Sequence, residues 1–137
     1  MNIRPAEKKD ITYLKKDVHV QKCELQSLLS LKRVLLLEEE GFPAGWLRYN
    51  LFWDNTPFMN LLYVEKALRG RGQGKALVRF WEERMAAEGY SGVMTSAQAN
   101  ENAPQFYRHL GYQDIGGFFP PGEGYELLFY KSLRTER

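Results

Sequence analysis

The sequence predicts an α/β fold, a mixed and mostly antiparallel twisted sheet of about seven strands with helices on both faces. Three observations lead there. Apolar and aromatic runs of strand length recur between turn signals, as in "KRVLLLEEE" and "PFMNLLYVEK". Stretches with helical periodicity, "KALVRFWEERMAAEGY" and "NENAPQFYRHLGY", alternate with those runs. The length of 137 residues, 44% of them hydrophobic, suffices for one core and is short for two, so residues 1–137 are expected to form a single domain.

From the N-terminus, "NIRPA" reads as a first strand, and Asp10 stands where it would cap a helix through "ITYLKKD". "VQKCELQSLLS" is a second helix with Leu25, Leu28 and Leu29 on one side. "KRVLLLEEE" is a buried-type strand and "EGFPAG" turns the chain. "WLRYNLFW" and "PFMNLLYVEK" are aromatic-rich strands joined by the hairpin residues "DNTP". The next helix is expected to bury Leu77, Phe80, Trp81 and Met85, to expose Arg79, Glu82, Glu83 and Glu88, and to end at Gly89. "SGVMTSAQ" is a strand. The helix after it takes Asn102 as cap, Pro104 in its first turn and Ala103, Phe106 and Leu110 on its inner face. "QDIGGFF", the loop "PPGEG" and "YELLFYKSL" supply the last two strands.

Composition narrows the function classes. The net charge of +2 is too small to mark a nucleic-acid binder, and the aromatics fall on core faces rather than among the cations. No segment has the apolar length of a membrane span, and "MNIRPAEKKD" lacks the apolar stretch of a signal peptide, so a soluble, cytoplasmic protein is expected, without nucleic-acid or membrane partners, as monomer or homodimer. Cys23 is the one cysteine. Its helical spacing from His19 reads as packing, and no metal is expected.

The informative stretch is "RGRGQGK", residues 69–75, between an apolar run and an amphipathic helix. Glycine costs about 0.5–1 kcal/mol relative to alanine inside a regular element, so Gly70, Gly72 and Gly74 mark a turn with unusual backbone angles or close approach. A loop entering a helix N-terminus gathers unpaired N–H groups and the positive end of the helix dipole, which suits a phosphate. The P-loop pattern fails, because Arg69 stands at its first glycine and Ala76 at its hydroxyl. The dinucleotide fingerprint fails as well, because Lys75 replaces its third glycine.

Arg69, Gly72 and Gly74 instead spell R-x-x-G-x-G, and Asn100, Ala103, Phe106, Tyr107, Leu110, Gly111 and Tyr112 follow the pattern N-x-x-A-x-x-[LF]-Y-x-x-[LM]-G-[FY]. With both motifs in this order the chain resembles the GNAT N-acetyltransferases over essentially its whole length, least over residues 1 to 30. The resemblance implies acetyl-CoA as cofactor and acetyl transfer to a primary amine of a small molecule or peptide by direct attack; the alternative is a non-catalytic CoA-binding or sensing module. It further implies that the backbone of Arg69, Gly70, Arg71, Gly72, Gln73, Gly74 and Lys75 wraps the CoA pyrophosphate and that the Val64 main chain pairs with pantetheine. The Leu62 N–H would meet the thioester carbonyl, with Asn100 and Tyr107 facing the cofactor and the Tyr107 phenol near the sulfur.

The resemblance leaves the general base open. Where histone-type members carry a glutamate, this chain has Phe58. Glu38, Glu39, Asp54, Glu65, His19 and a water held by Asn60 are the candidates. His109 falls on the outer side of its helix. The acceptor is expected between the first two helices and the "GGFFPPGEGY" loop, against Trp46, Tyr49, Phe52, Phe118 and Phe119.

Overall fold

The computed structural model describes residues 1–134. Seven strands and four α-helices follow in the expected order: β1 (Asn2–Pro5), α1 (Ile11–Leu14), α2 (Lys22–Ser30), β2 (Val34–Glu39), β3 (Phe42–Phe52), β4 (Thr56–Val64), α3 (Gln73–Ala87), β5 (Gly92–Gln98), α4 (Ala103–His109), β6 (Gln113–Phe118) and β7 (Glu126–Ser132). The strands lie in the order β1-β2-β3-β4-β5-β7-β6. β4 and β5 run parallel, joined through α3 as a parallel step requires. The pairs β1–β2, β2–β3, β5–β7 and β6–β7 are antiparallel, which makes the mixed, mostly antiparallel sheet that the sequence predicts. Among the described residues no helix is long and apolar enough to cross a membrane.

The chain divides into two compact units, one of residues 1–50 with 61–81, the other of residues 51–60 with those from 82 onward. In the first unit the run "VLLL" is buried on both faces of β2, hence its lack of alternation. Val34 and Leu36 join Leu25, Leu28 and Leu29 of α2 and Trp46 in one core cluster. Leu35 pairs with Leu47, two residues before Tyr49, whose ring meets Trp81 of α3 at 5.8 Å.

A buried ion pair ties the α1–α2 connection to β3. Arg48 Nε donates to Asp17 Oδ2 at 2.6 Å and Trp46 Nε1 donates to the same oxygen at 3.3 Å, while His19 N–H donates to Oδ1 at 3.1 Å. The Asp17 carboxylate is 1% exposed, so it depends on these donors entirely.

Several local expectations are corrected. The turn after β2 is only Glu40 and Gly41, both at positive φ, and "FPAG" already belongs to β3. The reason is Gly45. A Cβ there would stand 2.3 Å from Tyr63 O and 3.1 Å from Val64 Cα, so glycine is present for close backbone approach rather than for turning. The following hairpin turns on Trp53 (φ 53) and Asp54 (φ 63), closed by Asn55 N–H to Phe52 O at 3.2 Å. Asp10 and Asn102 hold cap positions without a side-chain cap bond; the Asp10 carboxylate accepts from Arg4 at 2.8 and 2.9 Å instead.

In the second unit Glu82 is buried, not exposed: it accepts from the Tyr112 hydroxyl at 2.8 Å and from Lys131 Nζ at 2.9 Å. Pro104, Tyr107 and Leu110 are the buried residues of α4 and its end, while Ala103 and Phe106 are half-buried. Gly89 (φ 96) ends α3 as the sequence indicates, with Gly89 N–H to Ala86 O at 3.0 Å and Tyr90 N–H to Met85 O at 3.1 Å.

Two outcomes follow for stability. Gly45→Ala must separate two backbones and is expected to cost about 1–3 kcal/mol, read as a lower urea midpoint. Asp17→Ala leaves Arg48 buried without a counter-charge and is expected to cost roughly 3–5 kcal/mol by the same measurement.

Candidate functional site

In the first unit, β4 runs into a short 3-10 turn, Lys66–Leu68, and then into the glycine loop. Gly70 (φ 80) and Gly72 (φ 84) both adopt the left-handed conformation, and a Cβ at either would meet nothing within 4 Å. Backbone angle, not internal crowding, therefore selects glycine at these positions. The open space in front of them also leaves the loop backbone approachable from outside. Gly72 O accepts the first bond of α3, from Ala76 N–H at 2.9 Å, so Gln73, Gly74 and Lys75 form the helix's first turn, where N–H groups lack intrahelical acceptors. α3 is 15 residues long, enough for a full N-terminal dipole.

Side chains brace this loop. The Arg69 guanidinium lies over the Tyr63 ring at 5.4 Å and donates from Nε to Val64 O at 2.8 Å. The Gln73 amide, turned so that its nitrogen meets two carbonyl oxygens, donates to Leu68 O at 3.1 Å and Arg71 O at 3.2 Å. Arg71 and Lys75 are exposed. Val64 is buried and Leu62 half-buried on β4.

Glu65, next to Val64, is a held carboxylate. It accepts from the Tyr13 hydroxyl, from Lys16 Nζ and from the Tyr63 hydroxyl, the last at 3.4 Å. Burial alone would raise its pKa; the hydrogen bonds from Lys16 and Tyr13 and the lysine charge outweigh burial and lower it. An acid held ionised in this way is a poor proton acceptor. Glu38 is likewise lowered, by Arg4 first and Asn2 second. Glu39 is half-buried at the end of β2, and Asp54 is exposed in the hairpin turn. His19 is exposed and, with Lys16, Trp46, Leu61 and Tyr63, lines a cavity of about 180 Å³. Trp46 and Tyr49 do not share the wall expected of them: Trp46 packs on Tyr13 and Tyr63, whereas Tyr49, an odd number of strand positions away, turns to Trp81.

In the second unit the central feature is a short ladder. β4 and β5 pair only through Phe58 with Met94 and Met59 with Thr95. Beyond Thr95, β5 continues through Gln98 while paired with β7. At the last rung Thr95 Oγ1 donates to Met59 O at 3.0 Å, and the Tyr107 phenol is hydrogen-bonded to Thr95. Tyr107 packs on Phe106, Tyr112 and Phe129 at centroid distances of 5.2 to 5.9 Å. Burial pushes the phenol up to about 12; the Thr95 bond pulls it part of the way back and the Glu126 charge pushes it further. Tyr107 is thus a core aromatic whose hydroxyl lies at the end of the β4–β5 ladder. Asn100 is exposed between β5 and α4, Asn60 is exposed on β4, and Phe118 and Phe119 are exposed at the end of β6. His109 and Cys23 are exposed, and the described residues contain no group of three or more His, Cys, Asp or Glu placed to hold a metal ion. Thr95 and Glu126 escaped the sequence reading, since only strand pairing brings them to Tyr107.

A family model described as the acetyltransferase (GNAT) family matches residues 5–112. The uncharacterized N-acetyltransferase YitI of Bacillus subtilis (strain 168) is 31% identical over 70 residues, which are 50% of this chain. The match spans 46% of that relative's length. Among solved structures, Ard1 from Thermoplasma volcanium superposes with a TM-score of 0.84 at 14% identity, covering 98% of both chains. An aminoglycoside 6'-N-acetyltransferase complexed with coenzyme A gives 0.80 at 13% identity, covering 100% of this chain and 99% of that one. The ribosomal-protein-S18-alanine N-acetyltransferase from Escherichia coli gives 0.75 at 15%, covering 99% and 96%. At such identities these structures attest the fold.

Proposed function

The chain belongs to the GNAT acetyltransferase family, and from that membership we propose that it transfers the acetyl group of acetyl-CoA to a primary amine of a small molecule or peptide by direct attack. The observation that carries the reading is the loop Arg69–Lys75. Two of its glycines are left-handed, the space beside them is open, and it delivers the first turn of a long helix. That backbone suits a pyrophosphate, which needs N–H donors and room rather than side-chain charge. Acetyl-CoA, when bound, supplies an activated thioester carbonyl and a thiolate leaving group.

The chain's own residues have distinct tasks in this reading. Arg69 and Gln73 fix the loop from within, through Val64 O, Leu68 O and Arg71 O. The Leu62 N–H is the donor for the developing oxyanion, a contribution worth about 2.7–4 kcal/mol where it has been removed in other enzymes. The main chain of Val64 is the docking edge for the amide-bearing arm. Its carbonyl accepts from Arg69 Nε at 2.8 Å. Asn100 lines the entry to α4, and Tyr107 holds a proton for the sulfur at the end of the β4–β5 ladder.

The decisive measurement is CoA-thiol release from acetyl-CoA against a panel of primary amines and peptides. Turnover with at least one acceptor is expected, and binding without turnover would identify a sensing module instead. Acetyl-CoA is expected to raise the melting temperature, with about 2.7 kcal/mol of stabilisation at roughly 100 times its dissociation constant, and ATP or NAD is not. Gly72→Asp should abolish that shift in a folded protein, because it adds strain at positive φ and a negative charge facing pyrophosphate. Tyr107→Phe keeps the ring packing and is expected to lower turnover by roughly 10²-fold with little change in acetyl-CoA affinity; unchanged turnover would return Tyr107 to the core.

A further inference from the structure

The carboxylates that could serve as a base in this protein are mostly tied to cations. Glu38 holds Arg4, Asp17 holds Arg48, Glu65 holds Lys16 and Glu82 holds Lys131. Protonating any of them sacrifices an ion pair. Glu126 is arranged differently. It is the half-buried first residue of β7, and the donor on its carboxylate is the neutral Gln98 amide, Nε2 to Oε1 at 2.6 Å. That bond orients the group without fixing its charge.

Its position follows from strand register. β5 pairs with β7 so that Thr95 faces Phe129 and Gln98 faces Glu126. Directly opposed residues share a face, and three steps along a strand change it. Thr95 and Phe129 lie on the side of α4, where Tyr107 contacts both. Gln98 and Glu126 therefore lie on the opposite side. Both sit at the half of β5 that continues past its ladder with β4. The Glu126 charge is the smallest of the influences that shift the Tyr107 phenol. A proton donor and a proton acceptor thus flank one open strand edge from its two faces, as needed when a nucleophile arrives on one side of a carbonyl and a leaving group departs on the other.

We propose that Glu126, oriented by Gln98, is the general base that deprotonates the acceptor amine; this rests on the acetyl-transfer reading above. The Glu126 carboxylate takes one proton from the acceptor's ammonium and frees the nitrogen lone pair. The C–N bond then forms at the acetyl carbon and the C–S bond breaks. The departing sulfur takes the Tyr107 proton, the surplus proton on nitrogen restores Tyr107 through solvent, and Glu126 releases its own to water. Across the strands Glu126 faces Gln98 from β5 and Phe118 from β6, with the Tyr107 phenol of α4 beyond the sheet and Tyr125 as its chain neighbour.

The test compares the wild-type chain with Glu126→Gln, Glu126→Asp and, as a control, Glu123→Gln on the exposed loop before β7. CoA-thiol release is followed across pH with the best primary amine of the panel, and acetyl-CoA binding by thermal shift. Glu126→Gln should lower kcat by roughly 10²-fold or more, with the acetyl-CoA shift unchanged. Glu126→Asp should recover part of the rate, and Glu123→Gln should match wild type. An active wild type whose Glu126→Gln variant keeps its rate overturns the base and leaves acetyl transfer standing. A wild type that releases no thiol with any amine overturns the acetyl-transfer reading, and the base with it.

Discussion

Between β4 and β5 the parallel ladder holds two residue pairs and then stops at Met59 and Thr95, while β5 runs on with β7 at its other edge. Most of what is chemically distinctive in the second unit follows from that stop. A backbone edge released from pairing must be met by something else, since unpaired N–H and C=O groups are costly when dry. The last rung is closed by a side chain, Thr95 Oγ1 on Met59 O, and that threonine in turn receives Tyr107. The phenol is thereby fixed at a boundary between paired and unpaired strand. In the first unit a complementary constraint acts at Gly45, where β3 and β4 approach so closely that no Cβ fits.

Charge placement divides the molecule's acids into two kinds. Asp17 and Glu82 are structural: each is buried, bridges residues distant in sequence and is neutralised by one cation and further donors. Such networks fix one arrangement at the expense of desolvation, and removing a single member exposes the full cost. The Asp17 carboxylate also holds the backbone of His19 and so shapes the connection that lines the small cavity with Trp46 and Tyr63. Glu65 stands between the two kinds. Its three donors keep it ionised, so its chemistry is that of an anchor for Tyr13, Lys16 and Tyr63 rather than of a proton acceptor.

The legible and illegible parts of the fold differ in range. Gly70, Gly72 and Gly89 were readable because each answers to its own backbone angle, and angle is a local property. The buried run of β2 and the stripe Leu25, Leu28 and Leu29 were readable because periodicity repeats within a few residues. Glu82 was misread because its partners, Tyr112 and Lys131, lie 30 and 49 residues away, and without them a glutamate in an amphipathic helix belongs outside. "FPAG" misled for the same reason: Pro and Gly signal a turn locally, whereas Gly45 answers to Tyr63 across the sheet. Thr95 and Glu126 carry no motif at all, and only the register of β5 with β7 and the packing of α4 give them a place near Tyr107.

In the proposed reaction, burial of Tyr107 bears on how the acid and the base would divide the work. With its pKa pushed up to about 12, the phenol is a weaker acid than free tyrosine. Against a thiol near the cysteine reference of about 8.5, proton transfer from it is uphill by roughly 3–4 pKa units, or about 4–5 kcal/mol. In the proposed reaction that deficit favours a hydrogen bond that tightens as charge develops on sulfur and passes its proton only as the C–S bond breaks. The same shift has a compensating use. A primary amine has a reference pKa of about 10.4, and an ordinary tyrosine at about 10 would lose its proton in the range where the amine becomes nucleophilic. A phenol near 12 keeps its proton throughout that range. Under that proposal donor and nucleophile can then coexist at one pH, and the desolvation that would weaken Tyr107 as an acid is what would keep it protonated when the amine is ready.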